Sequence, residues 1–217
     1  MRRWVCSMAA FATITTALLA VSQSPAALPI TIDGKFDTAT EHLLVPVTIG
    51  GHRFWCNPDT GYSALVALDP VKAVSAGLQV AAGVSTPNGN PGSSGVSAIS
   101  VDLVVGGVTF ANQSISLRKF AEAADMDMDC IFGVALLRRF VVEFDYAKPG
   151  IVLYERSTYQ PVAGTERIPL VFYTNPRVPF VDIQVSFSAG PPESLRVVPD
   201  TGTSFYGAIM VGGAADR

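Results

Sequence analysis

The chain has 217 residues, of which 49% are hydrophobic and only 15% charged, with a formal net charge of −3 and a pI of about 5.3. That content is too apolar for a disordered polar chain, and the 15 Lys and Arg are too scattered to form the basic stripe of a nucleic-acid binder. Gly 19 and Pro 15, without a three-residue period, exclude collagen and favour a globule rich in strands and turns.

Residues 1–27 read as a secretory leader. Arg2 and Arg3 form a positive start, Val5 to Val21 is apolar and uncharged, and Ser22, Ser24, Ala26 and Ala27 supply the small residues of a cleavage region. A membrane anchor is the rival reading. The apolar stretch is at the short limit for spanning and is diluted by Ser7, Thr13, Thr15, Thr16 and Ser22. No later segment is long enough to span a bilayer, so no stable membrane span is expected once the leader is removed. Without the leader the formal charge becomes −5, and Cys56 and Cys130 remain of the three cysteines. A secreted or periplasmic location follows as the expectation, in a compartment that permits a disulfide.

In chain order, residues 28–40 read as a polar lead-in. Leu43 to Ile49 is β-rich, Gly50-Gly51 turns, and His52 to Cys56 returns, a hairpin pattern. Residues 83–95 are a loop by composition. Val96 to Val105, Gly106-Gly107 and Val108 to Leu117 form a second hairpin pattern. Residues 121–129 are acidic and polar, Ile131 to Gly133 is a short apolar run, and Val134 to Phe140 fits one or two helical turns. Val141 to Phe144 and Ile151 to Tyr154, joined through Asp145 to Gly150, make a third hairpin; residues 155–167 look like a connector, and a new strand pattern opens at Val178 to Phe187. The fold class is therefore all-β.

An internal repeat carries the chemistry. Pro58-Asp59-Thr60-Gly61-Tyr62-Ser63 recurs as Pro199-Asp200-Thr201-Gly202-Thr203-Ser204, and each copy follows a Val-Pro strand, Val45-Pro46-Val47 or Val178-Pro179-Phe180. An Asp entered from an apolar strand and followed by Thr-Gly places a carboxylate at a sharp turn. The Gly permits the turn, and the Thr hydroxyl can donate to a facing loop. Two such loops face to face would hold two carboxylates that cannot both ionise and so share one proton. One can then act as base on a water while the other acts as acid on a carbonyl. The bland alternative is that each Asp-Thr-Gly is only a turn.

On these residues the chain resembles the retropepsin-like aspartic proteases of the pepsin fold, in their bacterial, exported form. The likeness runs through Asp59-Thr60-Gly61, through Asp129-Cys130-Ile131-Phe132-Gly133-Val134-Ala135-Leu136-Leu137-Arg138-Arg139-Phe140, through the hairpin Val141 to Leu153, and through Asp200-Thr201-Gly202-Thr203. The resemblance implies a pepsin-like acid-protease fold. Residues 28–156 would form one complete, barrel-like lobe, residues 157–174 a connector, and residues 175–217 the start of a second, truncated lobe. It implies an exported aspartic endopeptidase acting on peptide or protein substrates without nucleic acid or cofactor. Asp59 and Asp200 would be the catalytic pair. Thr60, Gly61, Thr201, Gly202 and Thr203 would support the two loops, and the hairpin around residues 85–103 would be the flap. Adjacent strands of the family's lobe would also bring Cys56 and Cys130 near enough for a bridge, with two buried free thiols as the alternative. Tyr62 stands where the family has a small residue, and Pro58 and Pro199 stand where an apolar strand residue is usual. Two other readings stay open: a catalytically incomplete peptide-binding protein, and a peptidase completed by a homodimer.

Other signals carry less. Asp125, Asp127 and Asp129 alternate as in a calcium loop, but Cys130 and Leu136 stand where Gly and Glu would be required. His42 and His52 have no partner at ligand spacing, so no metal site is expected, and surface or hairpin positions are. Ser204 lacks the spacing of a nucleophile elbow, and Asn112-Gln113-Ser114 is a glycosylation sequon only in a eukaryotic secretory path.

Overall fold

A computed structural model describes residues 28–80, 98–120, 126–173, 177–186 and 191–203. The expected leader, most of the expected flap, Asp125 and Ser204 lie outside the described residues. The strands are β1 (Ile30–Asp33), β2 (Lys35–Phe36), β3 (Leu43–Ile49), β4 (His52–Pro58), β5 (Val66–Leu68), β6 (Ala98–Val105), β7 (Val108–Leu117), β8 (Cys130–Phe132), β9 (Val141–Asp145), β10 (Gly150–Tyr154), β11 (Val171–Phe172), β12 (Pro179–Val185) and β13 (Glu193–Val197). Two short helices, α1 (Pro70–Ser75) and α2 (Val134–Leu137), follow β5 and β8. The protein is all-β in class.

Six strands close into a barrel in the order β3-β4-β8-β5-β7-β6, because β3 pairs with β4 on one edge and with β6 on the other. Closure removes the unpaired edges that an open sheet would leave. Both hairpins of the barrel turn on Gly-Gly: φ is 57° and 85° at Gly50 and Gly51, and 58° and 84° at Gly106 and Gly107. Two successive positive φ values match the twist of the flanking strands and favour Gly at both positions. Pro46 sits inside β3, yet β6 pairs with β3 only from Val47 to Ile49. The two-residue turn directs residue 46 away from β4, so the N–H that Pro lacks falls where the ladder with β6 has already ended.

The core fills this barrel. Leu43, Val45, Val47 and Ile49 from β3 pack with Phe54, Leu68, Leu103, Ile115, Phe132 and Leu136, all buried. Residues 28–40 prove to be more than a lead-in. Strand β1 joins β10 and β9 in a three-stranded sheet, with Ile32 opposite Ile151, and these two with Leu153 extend the same core. The helix expected over Val134 to Phe140 is the single turn α2. Strand β5 and helix α1 also went unread in the sequence. Helix α1 starts on Asp69, whose side chain accepts from the Val71 and Lys72 N–H groups, with Pro70 in the first turn.

Strand β8 is the pivot of the lobe. It runs parallel to β4, pairing Cys56 with Cys130 and Pro58 with Phe132, and antiparallel to β5. Cys56 and Cys130 are fully buried, their Cα atoms are 4.4 Å apart, and their sulfurs are bonded. Beyond β8 the chain passes Gly133. A Cβ there would lie 2.1 Å from the Tyr62 carbonyl oxygen and 2.7 Å from that of Ala64, so two backbones meet where only Gly fits. Asp59 N–H donates to the Phe132 carbonyl (3.0 Å), and Val134 N–H to that of Tyr62 (2.8 Å). The loop after β4 is thereby laced to the end of β8.

Residues 155–170 are exposed apart from a partly buried Tyr159. They lead to a separate sheet, β11-β12-β13, whose first strand falls within the stretch expected as a connector. Strand β13 ends three residues before Asp200, and β4 ends one residue before Asp59, so a strand delivers each copy of the repeat.

Alkylation of the unreduced protein should leave Cys56 and Cys130 unmodified until a reductant is added. Reduction should lower stability by about 4 kcal/mol, the chain-entropy value for a bridge closing 74 residues; two thiols alkylated at once in unfolded, unreduced protein would refute the bond. Gly133→Ala should cost about 2–3 kcal/mol in urea unfolding, because neither carbonyl can retreat without breaking the lacing. A change within 0.5 kcal/mol, about the size of a neutral surface substitution, would show that the two backbones can separate.

Candidate active site

The two Asp-Thr-Gly loops meet through four reciprocal hydrogen bonds. Thr60 N–H donates to Thr201 Oγ1 (3.1 Å), and Thr201 N–H donates to Thr60 Oγ1 (3.0 Å). Each hydroxyl then passes its proton onward: Thr201 Oγ1 to the Pro58 carbonyl (2.6 Å), and Thr60 Oγ1 to the Pro199 carbonyl. Each Thr accepts from the other's backbone and donates to the other's strand, so both hydroxyls are used as donor and acceptor. The prolines before the aspartates contribute only carbonyls here, and the N–H each lacks takes no part.

This clasp sets the carboxylates across one another. The Asp200 carboxylate lies over Gly61, where a Cβ would be 2.6 Å from Oδ2, and the Asp59 carboxylate lies over Gly202, where a Cβ would be 2.2 Å from Cγ. Any side chain at residues 61 or 202 would occupy the place of a carboxylate. Each aspartate also folds back on its own loop: Asp59 Oδ1 accepts from Gly61 N–H (2.7 Å) and Tyr62 N–H (2.9 Å), and Asp200 Oδ1 accepts from Gly202 N–H (2.8 Å). Thr203 follows at the end of the second loop, partly buried.

Electrostatics follow from the crossing. Burial, then the neighbouring Asp200 charge and a hydrogen bond shared with it, push Asp59 from 3.8, usual for an aspartate, up to about 6; the N–H groups of Gly61 and Tyr62 oppose the rise. The pair therefore keeps one proton well into the mildly acidic range. A site with one carboxylic acid and one carboxylate side by side can give a proton and take one in the same step.

Tyr62, bulky where the resemblance expects a small residue, turns its ring away along the barrel. Its hydroxyl donates to Ser116 Oγ on β7 (2.9 Å), which in turn donates to the Val66 carbonyl (2.9 Å). The ring packs against the buried cluster of Leu44, Ala67, Phe120 and Met128. Of the expected flap, residues 98–103 are described, in β6. Asp127 pairs with Lys35 (2.6 Å) and Asp129 with Lys72 (3.0 Å), while Asp129 Oδ2 accepts from Trp55 N–H, so these two acids brace the barrel wall. Among the described residues no three His, Cys, Asp or Glu side chains are placed to share a metal ion.

Sequence reading missed His42. Its Nε2 reaches the Gly202 carbonyl (2.9 Å), across 160 residues of chain. No local pattern marks that link.

A scan against protein-family models and a search of curated proteins give no match. Among solved structures, the chain is similar to a retropepsin-like aspartic protease from Rickettsia conorii, at 19% sequence identity and a TM-score of 0.40, over 61% of this chain and 94% of that one.

Proposed function

We propose that this protein is an exported aspartic endopeptidase that hydrolyses peptide bonds with a water held between Asp59 and Asp200. The observation that carries the reading is the crossed pair itself: two carboxylates, each seated on the other loop's glycine, with Asp59 raised to about 6. In the first step the ionised carboxylate takes a proton from water as its oxygen attacks the peptide carbonyl carbon, and the protonated carboxyl gives its proton to the carbonyl oxygen. Burial favours Asp59 as the carrier of that proton. The resulting gem-diol collapses as the carboxyl that took the water's proton passes it to the leaving nitrogen, a gem-diol hydroxyl gives a proton to the other carboxylate, and the C–N bond breaks, so the pair ends with its one shared proton. Export is supported by the leader pattern of residues 1–27 and by the Cys56–Cys130 pairing, which an oxidising compartment sustains. N-terminal sequencing of protein recovered outside the cytoplasm tests that part; an intact Met1 there would count against cleavage.

Asp59→Asn should abolish turnover of a fluorogenic peptide, since an amide cannot hand over the proton. It should also reveal a stability difference. Because Asp59 holds its proton more tightly folded than unfolded, its contribution is present below about pH 4 and is lost as pH rises through about 6. The Asn variant has no such loss. Its stability relative to the natural protein should therefore grow by on the order of 1–2 kcal/mol between pH 3.5 and 7, read from urea unfolding. Normal turnover in the variant would make Asp59 a turn residue only. Tight peptide binding without turnover in the natural protein would favour the binding reading.

The pH profile of kcat/KM should be bell-shaped, with its alkaline limb falling about tenfold per pH unit above about 6, where the pair loses its shared proton. A profile still flat at pH 8 would contradict a shared-proton mechanism.

A further inference from the structure

A partly buried chain of hydrogen bonds leads from the barrel to the second aspartate loop, and nothing in the dyad chemistry requires it. It begins at Asp37, which is buried between β2 and β3. Asp37 Oδ1 accepts from Ala39 N–H, Thr40 N–H and the Thr40 hydroxyl, each at 2.9 Å, and Oδ2 accepts from Asp127 N–H at 2.6 Å. Burial raises this carboxyl, but the bonds from Thr40, Asp127 and Ala39 outweigh it and hold it below its ordinary value, as expected for a structural carboxylate. The Thr40 hydroxyl also lies 2.7 Å from His42 Nδ1. His42 Nε2 lies 2.9 Å from the Gly202 carbonyl oxygen, and since a carbonyl only accepts, Nε2 carries the proton of that bond.

The turn is bent to present this ring. Asp37 N–H donates to the His42 carbonyl (2.8 Å), Glu41 N–H donates to the Asp37 carbonyl (2.9 Å), and Glu41 takes φ 59°, in the left-handed region that a residue with a Cβ seldom adopts. Strain of that kind persists where surrounding structure over-determines it. The glycine it grips is the one that carries the Asp59 carboxylate. Moving the Gly202 carbonyl would move the seat of the catalytic carboxylate on the opposite loop.

We propose that His42 is a positioning residue for the dyad, a strut from the first lobe that fixes the Gly202 peptide and through it the crossing of Asp59 and Asp200. It touches neither substrate nor reacting atoms. It complements the Thr60–Thr201 clasp, which fixes the loops at their threonines and leaves the glycine peptides to be held by something else. The inference rests on the peptidase reading for what the loop does, not for the strut itself.

The experiment compares His42→Leu, His42→Gln and Thr40→Val with the natural full-length protein, by steady-state peptidase kinetics and by hydrogen exchange at the Thr201 and Gly202 amides. Leu removes the donor; Gln restores one at the reach of Nε2. His42→Leu should speed exchange at both amides about tenfold, the loss of one partly buried hydrogen bond, and lower kcat about tenfold with KM changed less than about twofold. His42→Gln should return both readouts to within about twofold of the natural protein. Thr40→Val, which keeps the imidazole but removes its backing, should fall between, and it carries the test if the Leu variant does not fold. Natural exchange rates in His42→Leu, or in Thr40→Val where Leu does not fold, would overturn the strut, as would a Gln variant as impaired as Leu. If the natural protein cuts no peptide, the peptidase reading fails and the exchange arm still decides His42.

Discussion

Two carboxylates that repel one another, Asp59 partly buried and Asp200 exposed, sit at the crossing of two loops, and the architecture around them holds them there. Left to themselves the loops would separate and hydrate both charges. The four reciprocal bonds of Thr60 and Thr201 hold them together, and two glycines leave room for the carboxyl groups that a Cβ would fill. The repulsion is relieved by a proton rather than by distance, which leaves one carboxylic acid beside one carboxylate. The barrel supplies a rigid floor: β4 is pinned by β3 on one side and β8 on the other, with a sulfur bond beneath the first loop.

The two loops are not equivalent despite their matching sequences. The first rises from a closed barrel, and both its ends are laced to β8 and Gly133. The second rises from the three-stranded sheet β11-β12-β13, and the described residues show it held by the clasp and by His42. That asymmetry matches the electrostatics, since it is Asp59, on the barrel side, whose burial dominates its upward shift.

What the sequence revealed and what it hid divide along a physical line. The Gly-Gly turns were legible because two adjacent positive φ values need Gly, a local demand. The repeated Asp-Thr-Gly was legible because the chemistry requires those residue types in contact along the chain. Strand β5 was not, since three residues show no period and its character comes from lying between β7 and β8. Strand β1 is similar: Ile30-Thr31-Ile32-Asp33 alternates over only four residues, too short a run to stand out until Gly150 to Leu153 lies beside it. Helix α1 had its signal in Asp69-Pro70, a capping residue before proline, but no long apolar period followed to draw notice. His42 lay beyond reach, because its partner is a backbone carbonyl that any residue would offer.

The exposed stretch 155–170 acquires a thermodynamic meaning from the clasp. Four hydrogen bonds at about 1 kcal/mol net each are comparable to the smallest estimates of what two free bodies lose in translational and rotational freedom on meeting. Joined by one chain, the loops meet at an effective concentration on the order of millimolar, and that loss is largely removed. The covalent path between the halves thus helps to hold the two aspartate loops together. Its length sets how often the loops find each other, and a single cut in it would turn a unimolecular fit into a bimolecular encounter governed by dilution.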